Sequence, residues 1–114
     1  MKPMWPSHWI PPGTVAIPRE ARDVVAYVAR QVDCTPDDLT GPSRAGVLVR
    51  SRAVVCGVLR QRGLSLPTIG RALGNRHHQT VMHALKNLPR YYAERPRIEE
   101  LYERTYLYSM GERV

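Results

Sequence analysis

Arg76, His77, His78, Gln79 and Thr80, followed by His83, place three histidines, an arginine, an amide and a hydroxyl within eight positions. Side chains of these types can bind a transition metal, move protons in catalysis, or hydrogen-bond an anion or a base edge. The spacing speaks against a metal. His77 and His78 are adjacent, His83 lies five positions beyond His78 and diverges from it on a helix, and no cysteine or acid stands close enough to complete a zinc site. Catalysis is no better supported, because between Leu39 and Ala93 there is no carboxylate to orient a histidine or share its proton. The expectation is a non-enzymatic chain with no metal and no cofactor. A purely structural role for the histidines is also disfavoured, since Val81, Met82, Leu85 and Leu88 form the apolar stripe of their segment and leave Gln79, His83, Lys86 and Asn87 facing outward. Contact with a phosphate-bearing partner is what remains.

The charge distribution points the same way. All ten acids fall between Glu20 and Asp38 or between Glu94 and Glu112, whereas the span from Leu39 to Ala93 holds nine of the 17 basic residues and no acid. The net charge of +7 is thus concentrated in the middle of the chain. A basic block of this kind suits a polyanion, because each neutralised phosphate releases condensed counterions. A solvated arginine-rich face would give the same totals, so charge alone does not decide between them.

The elements that must position these residues are legible from periodicity and caps. A chain of 114 residues fits one domain, and its bulk comes from Val, Leu, Ala and Tyr, with no Phe. Five of the ten prolines lie within residues 1–18, which predicts a Pro-rich N-terminal tail whose Trp5 and Trp9 fold back over the domain or dock on a protein partner. Residues 19–110 form the helical domain. Val24, Val25, Val28, Ala29 and Val32 recur at helical spacing after Pro18, and Thr35, Pro36, Asp37 and Asp38 open a short helical turn that ends at Gly41. A basic loop, GPSRAGVLVR, leads into a long helix that buries Val54, Val55, Val58 and Leu59, turns most of its arginines outward and stops at Gly63. Ser65 then caps a helix of two turns with Ile69, Ala72 and Leu73 inward; Gly74 ends it and a second helix follows within a few residues. Short helix, tight glycine turn and second helix with a polar outer face make a helix-turn-helix at about residues 65–88. Pro89 is expected to stop or kink that helix, and a last amphipathic helix over Pro96–Ser109 uses Ile98, Leu101, Tyr102 and Tyr106 inward and Glu99, Glu100 and Glu103 outward.

Within such a motif, His77, His78, Gln79 and Thr80 occupy the first turn of the second helix, where backbone N–H groups and the positive end of the helix dipole face out. That end enters the major groove of DNA in a helix-turn-helix. Glutamine can bond adenine in bidentate fashion, neutral histidine can donate to or accept from base edges, and threonine can bond phosphate or touch a thymine methyl. Arg76 stands beside them, set to grip phosphate or a base edge, with Lys86 and the arginines that open the long helix as phosphate ligands.

The stretch LSLPTIGRALGNRHHQTVMHALKN, Leu64 to Asn87, closely resembles the signature of the C-terminal, DNA-binding domain of the bacterial replication initiator DnaA. Leu66, Pro67, Ile69, Gly70, Gly74, Arg76, His78, Thr80, Val81, His83 and Ala84 carry the resemblance, which extends more loosely from about Ala21 to Tyr106 through the order of the helices. It implies an all-α, Trp-repressor-like domain that binds an asymmetric box of double-stranded DNA as a monomer. Carried over position by position, it implies major-groove reading by Arg76, His77, His78 and Gln79 and minor-groove reading by the loop arginine Arg44. It implies phosphate contacts at Arg50, Arg52 and Arg60 on the long helix, and at Leu66, Thr80, His83 and Lys86 in the motif. Two departures bear on specificity: His77 stands where the family has Asp, and Gln79 where it has its first Thr. A histidine in that place is expected to weaken the helix cap by about 1 kcal/mol and to alter the base preferred. Pro89 is a third departure. The chain contains no G-x-x-x-x-G-K-[ST] phosphate loop, so it is expected to be the DNA-reading part alone and not an ATP-driven initiator.

The leading reading is therefore sequence-specific binding of double-stranded DNA in control of replication initiation or transcription, in a setting such as a phage or mobile element. The competing one is a protein-interaction module whose basic face binds or inhibits a host replication or transcription protein. RNA binding ranks lower, because the basic stretch has no aromatic residue before Tyr91 and Tyr92 on which bases could stack. Cys34 and Cys56 lack metal or redox spacing, and no apolar run resembles a signal peptide or a membrane span, so a reduced, cytoplasmic, nucleoid-associated protein is expected.

Overall fold

The computed structural model describes residues 17–112, which fold into six helices with no strand among them. The Trp-bearing part of the expected tail lies outside the described residues. Helix α1 (Arg19–Gln31) buries Val24, Val25, Val28 and Ala29 of the predicted stripe and adds Ala21 and Tyr27, while Val32 is its half-buried C-cap. Helix α2 (Pro36–Thr40) is a single turn held by a reciprocal cap. The Thr35 hydroxyl accepts from the Asp38 N–H at 3.1 Å while the Asp38 carboxylate accepts from the Thr35 N–H at 2.9 Å.

Helix α3 (Gly46–Gln61) is the axis of the domain and packs against each of the other five helices. Every residue from Ser51 to Leu59 is buried, so this helix has no single inner face. A helix buried all round must satisfy or omit its polar groups, and the two ways are visible. Ser51 turns its hydroxyl back onto the Val47 carbonyl at 2.6 Å, and Gly57 has no side chain at the point where Leu88 and Tyr102 close in. A Cβ at Gly57 would stand 2.6 Å from Leu88 Cδ2 and 2.8 Å from Tyr102 Cε2. The basic loop is shorter than the sequence predicts: α3 already begins at Gly46, because Leu48 is buried and the Ala45 carbonyl accepts from both Leu48 and Val49.

Helix α4 (Leu66–Ala72) and helix α5 (His78–Glu94) form the helix-turn-helix. Ser65 caps α4 by accepting from the Thr68 N–H at 3.3 Å. The turn needs its glycines. A Cβ on Gly70 would come within 2.1 Å of the Arg76 carbonyl oxygen, and Gly74, at φ +85°, faces the Thr40 carbonyl oxygen at 2.0 Å from where its Cβ would stand. Asn75 follows in the left-handed region at φ 61°, a conformation asparagine tolerates, and the Arg76 N–H closes the turn on the Gly70 carbonyl at 2.8 Å.

Two features of α5 differ from the sequence reading. Of the stop or kink expected at Pro89, the stop does not occur: the helix runs on to Glu94, because Leu88, Tyr91 and Tyr92 continue its packing into the core and outweigh one missing hydrogen bond on an exposed face. Met82 is 51% exposed and not part of the inner stripe, which Val81, Ala84, Leu85 and Leu88 make instead. Helix α6 (Pro96–Ser109) follows the extended Arg95 and packs on α1, α3 and α5, with Leu101 and the unforeseen Thr105 buried; the Thr105 hydroxyl donates to the Leu101 carbonyl at 2.7 Å. Tyr27 of α1 stacks on Tyr108 of α6 with centroids 4.3 Å apart. No helix among the described residues is long and apolar enough to cross a membrane.

Candidate nucleic-acid interface

The amino end of α5 is open to solvent: His77, His78, Gln79 and Thr80 are all exposed. His77 is its N-cap, and the Nδ1 of its ring accepts from the Gln79 N–H at 3.2 Å. The histidine thus caps the helix through a ring nitrogen where a carboxylate oxygen would serve. The His77 carbonyl accepts from Thr80 and Val81 at 2.9 and 3.4 Å, which leaves the His78 N–H as the open amide of this turn. The first turn therefore presents side chains more than a ring of free amides. Met82 and Lys86 continue the same outer face as His78 and Gln79, three or four residues apart along the helix. Sequence patterning missed Met82 because a methionine at helical spacing reads as core.

Thr80, Ala84, Asn87 and Tyr91 define a second line along α5, at spacings of four, three and four residues. This line, with His83 beside it, forms one wall of a cleft of about 720 Å³ whose other wall is the loop Thr40, Gly41, Pro42, Ser43 and Arg44. Arg44 is exposed on that loop. The structure therefore brings Arg44, Thr80 and His83 to one cleft and adds Ser43 and Asn87, to which the sequence assigns no contact. A signal for Asn87 was present, since it stands two helical turns beyond Thr80.

Two arginines are placed otherwise than expected. Arg52 is 7% exposed, and its guanidinium donates to carbonyls: Nε to Leu39 at 2.7 Å, Nη1 to Ser43 at 2.6 Å, and Nη2 to Asp38 and Gly41 at 3.1 and 3.0 Å. Four of its five N–H groups are spent inside the protein, so the phosphate role implied for Arg52 is corrected to a structural one. Arg76 is half-buried and behaves similarly. Its guanidinium donates to the Leu73 carbonyl, to Gly41 at 2.6 Å and to Thr40 at 3.4 Å, so its Nη1 and Nη2 serve the end of α2 and the turn rather than the base edges expected of it.

The reason both turn inward is the end of α2. A helix C-terminus leaves its last carbonyls without intrahelical partners and carries partial negative charge, and a one-turn helix consists mostly of such ends. Arg52 and Arg76 supply the missing donors from two directions and meet at the Gly41 carbonyl. Burial lowers the pKa of both, and their mutual repulsion lowers that of Arg52 further, yet guanidinium stays charged. Their effect is to tie the loop that carries Arg44 to the turn that precedes α5.

The remaining expected phosphate ligands lie apart. Arg50 is half-buried, with its Nη1 over Gly46, and lines a different cleft of about 700 Å³ against the α5–α6 junction. Arg60 is exposed at the end of α3 and donates to the Leu64 carbonyl at 3.0 Å. Leu66 packs half-buried on the core as the first residue of α4, where a helix N–H has no intrahelical partner. No group of three metal-ligating side chains forms among the described residues, and the rings of His77 and His78 lie beside each other, tilted by 33° with centroids 4.1 Å apart. Cys56 is buried and free, its thiol pushed up to about 12 by loss of hydration.

Five helices packed around a buried α3, with a helix-turn-helix whose turn requires glycine and whose second helix exposes its amino end, define a helix-turn-helix domain. The chain belongs to the bacterial DnaA protein helix-turn-helix family, whose sequence profile it matches over residues 21–88. It is 38% identical over 74 residues to the chromosomal replication initiator protein DnaA of Clavibacter sepedonicus, a match covering 64% of this chain and 16% of the relative. The protein of the same name from Cutibacterium acnes is 44% identical over 62 residues, covering 54% of this chain and 12% of the relative. That from Bifidobacterium animalis subsp. lactis is 37% identical over 67 residues, 58% and 12% of the two chains. The matched region is thus less than a fifth of the length of these relatives.

Proposed function

We propose that this domain binds double-stranded DNA with sequence preference and acts in the control of replication initiation or transcription. The reading is carried by one observation: the solvent-facing turn His77–Thr80 lies next to a cleft whose opposite wall bears Arg44. In this reading His77, His78 and Gln79 meet base edges in the major groove, and Arg44 enters the neighbouring minor groove. Thr80, His83 and Lys86 hold the phosphates between, with the Leu66 N–H at the edge of the footprint. Met82 joins the outer face of α5 as an apolar contact. Arg52 and Arg76 act as positioning residues. They fix the Arg44 loop against α5, so that two grooves of one duplex are engaged in a set register. The relatives are named for chromosomal replication initiation, and the same process is the natural place for a reader with this motif.

Selection from a pool of randomised duplexes tests the reading. The expected result is a single enriched sequence and an affinity that falls steeply with salt, about 0.9 log units per log unit of salt for each phosphate neutralised. Lys86→Ala should lower that slope by about one without changing the enriched sequence. Binding with neither salt dependence nor sequence preference would transfer the basic face to a protein partner.

A further inference from the structure

A backbone N–H can only donate, so the ring nitrogen that the Gln79 N–H meets at 3.2 Å, Nδ1 of His77, must carry a lone pair. In a neutral imidazole the proton then sits on Nε2, at the far edge of the ring from the helix end. The ring is exposed and tilted by 33° to that of His78, and with Nδ1 engaged at the cap its opposite edge faces away from the helix end. No hydrogen bond among the described residues uses that outer edge. We infer that His77 reads its base as a hydrogen-bond donor and selects a base edge that accepts, guanine before all others. This rests on the DNA-reading function proposed above and fixes the polarity of one of its contacts.

The major groove makes the consequence sharp. Guanine offers two acceptors there, N7 and O6; adenine N7 and thymine O4 offer one each; cytosine offers only its N4 amine, a donor. An Nε2–H facing cytosine would set two donors against each other and leave both without water. The same ring cannot reverse its polarity without releasing the Gln79 amide, because moving the proton to Nδ1 removes the acceptor that caps α5. The cap therefore selects the tautomer, and the tautomer selects the base.

Two measurements test this. In the free protein at pH 8, ¹⁵N shifts of the His77 ring should show a protonated Nε2 and a bare Nδ1; a protonated Nδ1 overturns the inference without touching the DNA reading. In duplex selection the wild-type chain should favour guanine over cytosine about tenfold at one position. His77→Asp, which keeps a good N-cap but presents only acceptors, should invert that preference and leave the other positions unchanged. His77→Ala should flatten the same position. An unchanged base at every position in both variants overturns the inference while DNA binding stands. Failure of the wild-type chain to enrich any duplex overturns the underlying reading and this inference with it.

Discussion

Arg52→Ala separates a residue that builds the interface from one that belongs to it. The wild-type guanidinium is 7% exposed and makes four hydrogen bonds to the carbonyls of Leu39, Ser43, Asp38 and Gly41. Hydrogen bonds to a charged group contribute about 1.5 to 3 kcal/mol each when taken singly, but four on one side chain do not add. Part of the loss is recovered as water reaches the loop carbonyls, although the Leu39 carbonyl stays buried and unpaired. A net cost of about 3 kcal/mol follows, which for a domain of this size lowers the melting temperature by roughly 12 to 24 °C. Arg44→Ala, on an exposed loop, should melt within a few degrees of wild type and lose DNA affinity instead. Thermal unfolding by circular dichroism and duplex affinity by anisotropy, measured on both variants, form the assay. Arg52→Lys should fall between, since an ammonium cannot reproduce the fork of donors. An Arg52→Ala chain as stable as wild type, weakened only toward DNA, would refute the structural assignment and return Arg52 to the phosphate contacts.

Other perturbations probe the remaining claims. Gly70→Ala should destabilise the domain by about 3 kcal/mol, read by denaturant unfolding, because its Cβ would stand 2.1 Å from the Arg76 carbonyl and the turn has no slack to yield. Pro89→Ala should stabilise it by about 1 to 3 kcal/mol by restoring a backbone donor to a helix that already runs on to Glu94, and should leave the helix length unchanged by NMR. Burial holds the Cys56 thiol protonated from its ordinary 9.0 up to about 12, so the folded chain binds more protons than the unfolded one in that window. Stability should be full below pH 9 and decline by about 1.4 kcal/mol per unit above it. The half-buried hydroxyls of Tyr92 and Tyr102 shift the same way, so Cys56→Ala should flatten the early part of the decline, measured by urea unfolding against pH.

What was legible in the sequence was what local chemistry decides. The Thr35–Asp38 cap, the Ser65 cap, the left-handed Gly74 and the α6 stripe depend on residues within a few positions of one another, and their structures match the reading. What escaped it depends on residues distant in the chain. Nothing near Arg52 or Arg76 signals that both reach the carbonyls of α2 and of the loop after it, since those partners lie 9 to 36 positions away. An arginine in a basic stretch therefore reads as a phosphate ligand when it is in fact the donor set for a short helix. The same holds for Pro89: local rules predict a stop or a kink, and packing of Tyr91 and Tyr92 against the core carries the helix past it. Met82 and Leu85 share one spacing pattern, and only the positions of α3 and α6 determine which of them is covered. The placement of His77 was readable, whereas the hydrogen bond that sets its proton was not, because a cap geometry must be seen before its donor and acceptor can be assigned.

The central claim is that the amino end of α5 and the Arg44 loop together meet a DNA duplex. Titrating the ¹⁵N-labelled chain with its selected duplex and following every backbone amide tests this most directly. The predicted result is that shifts concentrate at Ser43 and Arg44 and from His77 to His83, with Glu99, Glu100 and Glu103 on α6 unmoved. Shifts centred on α6, or none at low ionic strength, would contradict it.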